Sequence, residues 1–258
     1  MDTWWFNKVI SLQQEGVPQI LVSITNVRGS APRGVGTRMI ITQSDQWGTI
    51  GGGNLEFKIT HEARKMLSEL VISPISKEIS LGASVGQCCG GSVTVLLEPI
   101  QSLSKLVVFG AGHVGRELID LSQPLPVFIQ WIDERANQFP KIDYHNVECI
   151  VEDDCVTALD ELSGDEAIVI LTHNHALDMR LCEGLLRRKH NAYIGLIGSR
   201  TKWKRFEHQL QERGFSKDAI DSILCPIGIP GINNKHPRAI AISIIAQLLQ
   251  NFNLKINS

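Results

Sequence analysis

The sequence predicts an α/β protein, in which an N-terminal α+β domain is followed by a domain built on a doubly wound parallel sheet. Three observations predict this fold class. The chain has 258 residues, more than one compact domain usually contains. Strand and helix patterns alternate through the second half, as they do where helices cover both faces of a parallel sheet. Residues 110–115 (GAGHVG) form a glycine-rich turn between an apolar strand and a helix, which is typical of a Rossmann-like domain.

The composition is that of a globular protein without a charge bias. Hydrophobic residues make up 43% of the chain and charged residues 20%, so the chain can fold around a core. The net charge of −2 comes from charges spread along the chain, which create no single-sign field for nucleic acid or an anionic membrane. No apolar run approaches the roughly 20 residues that span a bilayer, and residues 1–5 (MDTWW) lack the basic start of a secretory signal. We therefore expect a cytoplasmic protein that binds a small ligand or a protein partner.

The predicted N-terminal domain covers residues 1–100. A helix over 4–15 ends at Gly16, and a second helix carries apolar residues at helical spacing from Leu55 to Leu70. Runs rich in β-branched and apolar residues predict strands over 20–25, 39–41, 75–81 and 92–99. The domain boundary is expected near residue 100, where polar residues precede a new buried strand.

The predicted second domain covers residues 101–258. Its strands are expected over 106–109, 127–133, 147–151, 167–172 and 192–197. Its helices are expected over 113–121, 176–189, 203–213 and 237–249. This order predicts a parallel sheet with helices on both faces.

The turn at residues 110–115 fits the pattern G-x-G-x-x-G of a dinucleotide-binding site. Gly110, Gly112 and Gly115 would let backbone amides approach a diphosphate at the positive end of the following helix. His113 is expected on the ligand side of the turn. Asp133, about twenty residues on at the end of the next strand, has the place of the acid that accepts hydrogen bonds from a ribose. The alternative is that the glycines only make a tight connection from strand to helix.

Two histidines follow the predicted strand 167–172 at the ligand-binding edge of the sheet. His173 and His175 could be proton donors in an NAD(P)-dependent oxidoreductase, polar contacts to an anionic cofactor, or helix-capping residues. A metal site formed with Asp178 would lack a third strong ligand nearby, and we expect no protein-bound metal.

Two glycine-rich loops in the first half are candidate anion sites. Arg28, Ser30 and Arg33 combine guanidinium groups with a flexible backbone, which suits phosphate or another oxyanion. Three consecutive glycines, Gly51, Gly52 and Gly53, precede a helix and could present free amides to a second anionic group. Each loop taken alone could equally be a simple turn.

A third glycine loop carries Gln87 and the vicinal pair Cys88 and Cys89. The pair lacks the two-residue gap of zinc knuckles, so a thiolate that contacts a soft metal or carries sulfur is the functional interpretation. The alternative is a buried, inert pair. The remaining cysteines lie in apolar or helical settings and are expected to be packing residues: Cys149, Cys155, Cys182 and Cys225.

Five segments resemble the XdhC/CoxI family, the xanthine dehydrogenase accessory factors. They are residues 29–33 (GSAPR), 48–56 (GTIGGGNLE), 86–91 (GQCCGG), 109–115 (FGAGHVG) and 193–199 (YIGLIGS), and they occur in the family's order. The resemblance implies a homodimeric maturation chaperone that binds molybdenum cofactor (molybdopterin), supports its sulfuration and inserts it into apo-xanthine dehydrogenase. It implies two partners, the molybdenum subunit of that enzyme and a cysteine desulfurase.

The residues themselves are compatible with this resemblance. The arginine and glycine loops could hold the anionic tail of the cofactor, Cys88 or Cys89 could face molybdenum or sulfur, and the 110–115 turn could hold a nucleotide moiety. Residues 229–238 (IPGINNKHPR) depart from the family pattern, which tends to place acidic residues at this helix start. The sequence leaves two other functions open, an NAD(P)-dependent oxidoreductase of Rossmann type and an interaction module whose glycine loops are only turns.

Overall fold

The structure is a computed structural model that describes residues 3–81, 91–141, 144, 146–190, 192–232 and 234–251. The chain divides into two units, Met1–Leu103 and Ser104–Ser258. Each unit has its own sheet and its own buried hydrophobic cluster.

The first unit contains a five-stranded antiparallel sheet with strand order β3-β2-β1-β5-β4. Its strands are β1 (Gln19–Arg28), β2 (Arg38–Ile41), β3 (Gln46–Gly48), β4 (Ile75–Ser80) and β5 (Ser92–Ile100). Its helices are α1 (Trp4–Gln14) and α2 (Gly53–Ser68). Helix α2 buries Leu55, Ile59 and Met66 in one cluster with Val22 and Val95 of the sheet. The predicted helical spacing is thereby confirmed for these residues.

The second unit contains a six-stranded parallel sheet with strand order β8-β7-β6-β9-β10-β11. Its strands are β6 (Ser104–Phe109), β7 (Val127–Asp133), β8 (Val147–Val151), β9 (Ala167–Ile170), β10 (Ile194–Leu196) and β11 (Ile223–Leu224). The chain starts at the centre of the sheet, runs to one edge and returns to fill the other side. This order confirms the predicted doubly wound sheet, and it places a topological switch point between β6 and β9.

Helices cover both faces of the parallel sheet. They are α3 (His113–Ser122), α4 (His175–Arg187), α5 (Arg200–Glu212), α6 (Lys217–Asp221) and α7 (Pro237–Asn251). Helices α3 and α7 share one buried cluster with Val108 and Trp131, while α4, α5 and α6 share the other with Phe109. Because successive strand residues face opposite sides, Val108 and Phe109 reach different clusters.

Several sequence predictions are wrong in detail. Leu70 is not part of the buried face of α2, because the helix ends at Ser68 and the Leu70 side chain is 82% exposed. Cys149 is exposed on the edge strand β8, whereas Cys155 and Cys182 are buried as expected. Strands β3 and β11 and helix α6 were not predicted, because each has at most five residues. No helix in the described part of the chain is long and apolar enough to cross a membrane.

Candidate functional site

The 110–115 turn joins β6 to α3 at the carboxyl end of the central strand, and two of its glycines are required by packing. A Cβ atom on Gly110, whose φ is +115°, would lie 2.5 Å from the carbonyl oxygen of Leu171. A Cβ atom on Gly115 would lie 2.2 Å from the carbonyl oxygen of Gly110. The buried Trp131 indole donates a hydrogen bond to the same Gly110 oxygen at 3.1 Å. The turn therefore lies so close to its neighbours that there is no room for a side chain at Gly110 or Gly115.

Gly112 differs from the other two glycines of the turn. Its φ of −75° and ψ of −169° suit any L-residue, and a Cβ atom there would meet no heavy atom within 4 Å. Neither the backbone nor the packing therefore requires a glycine at this position. Its missing side chain leaves the amides at the start of α3 open to a ligand, as the second glycine of the pattern does in dinucleotide sites.

The start of α3 has no side-chain cap. The three helices that come next, α4, α5 and α6, are capped by Asn174, which accepts hydrogen bonds from Ala176 and Leu177, by Ser199, which accepts from Lys202, and by Ser216, which accepts from Ala219. Gly112 has no side chain to serve α3, and the first turn of α3 contains no acidic residue. An anion would satisfy these amides and the partial positive charge of the helix end.

Asp133 lies at the end of β7, beside the turn, and is 3% exposed. Its Oδ2 accepts hydrogen bonds from the Ala111 amide at 2.7 Å and from Arg135 Nη2 at 2.9 Å. Its Oδ1 accepts from the Arg135 amide and from Arg135 Nε, both at 2.9 Å. The acid that was expected to meet a ribose is thus bonded to the turn and to a neighbouring guanidinium.

A buried ion pair fixes the segment after β9. Asp178 is fully buried and accepts hydrogen bonds from Thr172 Oγ1 at 2.6 Å and from Lys202 Nζ at 2.5 Å. Lys202 also donates to the carbonyl oxygen of Ile197 at 3.0 Å. The ion pair joins α4 to α5, and the Thr172 hydrogen bond joins the loop after β9 to α4.

The two predicted histidines lie at this edge, next to different carboxylates. His173 Nε2 lies 3.5 Å from Glu134 Oε1, and His175 Nδ1 lies 3.8 Å from Asp178 Oδ2. Their side chains are 49% and 78% exposed. Because β6 lies between β7 and β9, the pair of Glu134 and His173 spans the carboxyl end of the strand that carries the turn.

Comparison with known proteins agrees with this architecture. Residues 106–248, more than half of the chain, match the XdhC Rossmann domain, and residues 12–71 match the XdhC and CoxI family. The chain belongs to the XdhC and CoxI family. The Rossmann match contains the turn, Asp133 and both histidines, so the carboxyl edge lies within the part that defines the family's second domain.

Two Escherichia coli K12 proteins are relatives of this XdhC-family chain. It is 28% identical to the uncharacterised protein YqeB over 250 residues, which are 95% of this chain but only 46% of YqeB. The chain thus spans about half the length of that relative. It is 23% identical to PaoD, named as a molybdenum cofactor insertion chaperone, over 281 residues that cover 90% of this chain and 83% of PaoD.

A solved structure from Bacillus halodurans shares the fold. It is described as a xanthine dehydrogenase, and the match has a TM-score of 0.52 and 22% identity. The match covers 96% of this chain and 97% of the other. At this identity the likeness shows the fold of the XdhC family and nothing about activity.

In the first unit of this XdhC-family chain, the loop that holds Ser30 lies close to Gly91 and Gly51. A Cβ atom on Gly91 would lie 2.4 Å from the carbonyl oxygen of Ser30, and one on Gly51 would lie 2.4 Å from Pro32. The loop that holds Ser30 therefore packs against both glycines. Gln87, Cys88 and Cys89 lie outside the described residues, although Gly91 follows them closely in sequence.

The two predicted arginines of this edge face solvent. Arg28 Nη1 lies 3.6 Å from Glu78 Oε1, and the Arg28 side chain is 73% exposed. Arg33 is also exposed and borders a surface cavity of about 670 Å³ with Trp5 and Arg38. Both side chains are exposed, and Arg28 is not among the residues that line the cavity beside Arg33.

Glu56, in the first turn of α2, accepts hydrogen bonds from part of the loop at residues 49–53. Glu56 Oε2 accepts hydrogen bonds from the Ile50 and Gly52 amides at 3.2 and 3.1 Å and from Thr49 Oγ1 at 2.5 Å. The Gly51 amide donates to Thr49 Oγ1 at 3.2 Å. Of the three glycines expected to present free amides, Gly52 thus donates to a carboxylate of the chain and Gly51 to a hydroxyl, while Gly53 as an anion contact stays a prediction.

Sequence reasoning missed three residues of these sites. Glu56 had a detectable signal, because an acid in the first turn after a glycine loop is close to the spacing of a capping box. Arg135 also had one, since an arginine near the acid of this fold accommodates a phosphate. Lys202 had none, because only the fold brings it to Asp178. Among the described residues no cluster of three or more histidine, cysteine or acidic side chains can hold a metal ion.

Proposed function

We propose that this chain binds molybdenum cofactor and delivers it to a molybdenum enzyme of the xanthine dehydrogenase type. The observation that carries this proposal is the likeness to PaoD, a molybdenum cofactor insertion chaperone by name, over 90% of this chain. Membership of the XdhC and CoxI family supports it. The proposal makes the chain a maturation chaperone in the cytoplasm rather than a free-standing catalyst.

The residues at the carboxyl edge fit an anionic cofactor. The open space at Gly112 and the uncapped amides of α3 suit a phosphate group. The guanidinium of Arg135 and the Ala111 amide donate to the same oxygen, Asp133 Oδ2. His113 is exposed at the first position of α3. In the first unit, Arg28, Ser30 and Arg33 are proposed by themselves as contacts to an anionic ligand. When bound, the cofactor supplies the molybdenum centre that the client enzyme needs.

We further propose that Cys88 or Cys89 contacts the metal or carries sulfur for it, with a cysteine desulfurase as donor and a homodimer as the working form. Glycines on both sides of the pair support access by a ligand. The double variant Cys88→Ala and Cys89→Ala is expected to retain less cofactor at an unchanged melting temperature. Unchanged retention would show that the thiols have no part in binding.

The decisive experiment is mass spectrometry of the ligands released from the full chain after purification from a cell that makes molybdopterin. The expected result is a pterin in stoichiometric amount, absent when the host lacks pterin synthesis. The molybdenum cofactor should also bind the purified protein more tightly than it binds bovine albumin. Binding no stronger than to albumin would overturn the proposed function.

A matched pair of variants tests the place of binding. Gly112→Leu fills the open space in front of α3 and is expected to weaken cofactor binding by at least tenfold. Gln211→Leu adds the same side chain at an exposed position near the end of α5 and should bind normally. Equal binding by both variants would remove the turn from the site.

The exposure of His173 and His175 at the carboxyl edge supports a second candidate, an NAD(P)-dependent oxidoreductase. That activity requires a change of nicotinamide absorbance with an alcohol or carbonyl substrate. Silence across a broad substrate panel, together with cofactor binding, would reject the oxidoreductase.

A further inference from the structure

The carboxylate of Asp133 has no capacity left for a ribose. It receives four hydrogen bonds, from the Ala111 amide and from three donors of Arg135, and two carboxylate oxygens offer about four lone-pair sites. Its side chain is 3% exposed. A ribose diol could bind Asp133 only by displacing Arg135 or the Ala111 amide, which would break charge-assisted bonds in a buried place.

The negative charge of Asp133 is stabilised by its hydrogen-bond donors. Burial alone would raise the pKa of Asp133, but the hydrogen bonds from the Arg135 side chain and from the Ala111 and Arg135 amides outweigh it and the pKa is lowered. The same contact raises the pKa of Arg135. Both groups therefore remain charged, and Asp133 acts as a fixed support for a guanidinium.

Arg135 remains able to bind a second group. Its Nε and Nη2 face Asp133, its side chain is 31% exposed, and no described residue accepts a hydrogen bond from its Nη1. Arg116, another guanidinium of this region, donates from its Nε and Nη2 to the carbonyl and amide oxygens of Gln138. Glu134, the neighbouring acid, lies against His173. Arg135 is thus a cation beside the turn that has a donor left for an anion.

We propose that the 110–115 turn selects a phosphate monoester over a ribose diol, with Arg135 as the specificity-determining residue and Asp133 as the positioning residue that holds it. A monoester carries close to two negative charges and three acceptor oxygens, which suit a guanidinium edge and uncapped amides together. Asp133 thereby takes a different role from the ribose acceptor that the sequence pattern predicts. The inference rests on the proposed function for its ligand, the phosphate of the pterin cofactor.

The same chemistry has a second source, the 2′-phosphate of a dinucleotide. The test therefore measures equilibrium binding of three probes to the full chain: molybdenum cofactor, NADP⁺ and NAD⁺. The expected order places both phosphate monoesters ahead of NAD⁺, by about tenfold or more for NADP⁺ over NAD⁺. Cofactor binding with weak NADP⁺ binding identifies the pterin as the source, and the reverse identifies a dinucleotide.

Arg135→Ala tests the specificity itself. It should weaken binding of the monoesters about tenfold or more and leave NAD⁺ binding equal or tighter, because Asp133 is then released for the ribose. The ratio of the NADP⁺ and NAD⁺ affinities reports this reversal even if the variant is less stable. Arg135→Lys should keep part of the preference, and Arg187→Ala, which removes an exposed guanidinium from α4, should keep all of it.

The outcomes separate this inference from the proposed function. Cofactor binding that Gly112→Leu abolishes and Arg135→Ala leaves intact would overturn the role of Arg135 alone. Binding of NADP⁺ that depends on Arg135, with no binding of the cofactor, would overturn the proposed function and keep the inference. NAD⁺ binding equal to that of NADP⁺ in the wild-type chain would overturn the inference, and absence of binding by all three probes would overturn both.

Discussion

The two units each place a glycine-rich loop before a helix, and the two loops differ in what their amides contact. At the start of α2, the Ile50 and Gly52 amides donate to the carboxylate of Glu56. At the start of α3, Gly112 leaves the helix without a side-chain cap and the first turn has no acid. Glycine content alone therefore does not identify an anion site.

The difference teaches that the first turn of the helix decides the role of the loop. In α2 the chain supplies its own anion to the Ile50 and Gly52 amides. In α3 no acid of the first turn balances the partial positive charge of the helix start, so a bound anion can do so. The glycines also differ in kind, since Gly110 and Gly115 are required by packing and Gly112 is not.

The largest expected effect separates the packing glycines from the open one. Gly115→Ala should lower the free energy of unfolding by about 3 kcal/mol, because the added Cβ would press on the Gly110 carbonyl. Gly112→Ala should change it by less than about 1 kcal/mol. Urea denaturation of both variants measures the contrast. Equal losses would mean that the turn is not packed as described.

Removing the internal anion of the first loop should have the next largest effect. Glu56→Ala leaves the Ile50 and Gly52 amides and the Thr49 hydroxyl without their acceptor, which should cost about 1–3 kcal/mol. Glu69→Ala, at the other end of α2, is the control and should cost less than about 0.5 kcal/mol. Inorganic phosphate should stabilise Glu56→Ala more than the wild type, since it can bind the released amides. A variant as stable as the control would contradict the capping role.

The loss of stability at acid pH tests the pairing of Asp133 with Arg135 beside the 110–115 turn. The pKa of Asp133 in the folded chain lies below its ordinary value of 3.8, so its contribution is full above that pH and is lost as the pH falls below it. Asp133→Asn should therefore be less stable than the wild type at neutral pH, and the difference should shrink below pH 3.8. Thermal melts from pH 6 to about pH 2.5 measure it. Parallel curves would show that the carboxylate gains nothing from Arg135.

The smallest expected change in stability comes from giving α3 a side-chain cap like those of α4, α5 and α6. Gly112→Ser adds a capping hydroxyl to α3, like that of Ser199 on α5, and should raise the free energy of unfolding by a few tenths of a kcal/mol. The same hydroxyl competes with a ligand for the amides, so binding of the proposed cofactor should weaken. A variant that binds more tightly would show that the open amides are not the contact.

Much of the fold could be predicted from the sequence, because the strongest patterns are long. Strands β7 and β8 have their predicted bounds, since each is a run of strand-forming residues between clear breaks. Helix α5 begins at Arg200, earlier than predicted, because the Ser199 side chain caps it and the apolar pattern starts only at Trp203. The two residues of β11 carry no periodic signal at all.

The candidate site could be predicted only in part. The glycine pattern gives Gly110, Gly112 and Gly115 and the position of Asp133, because the spacing follows from strand and helix geometry. The pattern cannot say that Arg135 folds back onto Asp133, since that contact depends on a side-chain conformation. At α2, the place of Glu56 in the first turn is a signal in the sequence, but which amides its carboxylate reaches also depends on a side-chain conformation.

The indole of Trp131 lies beneath the turn, with its N–H on the Gly110 carbonyl and its ring edge-on to Phe139 at 5.1 Å. Trp4, Trp5, Trp47 and Trp203 lie elsewhere in the chain, and their replacement by phenylalanine would leave a single emitter under the turn. A guest that shifts the Gly110 carbonyl would alter the colour and intensity of that emission. The molecule therefore contains its own optical sensor for titrations at the turn, and no added dye is needed.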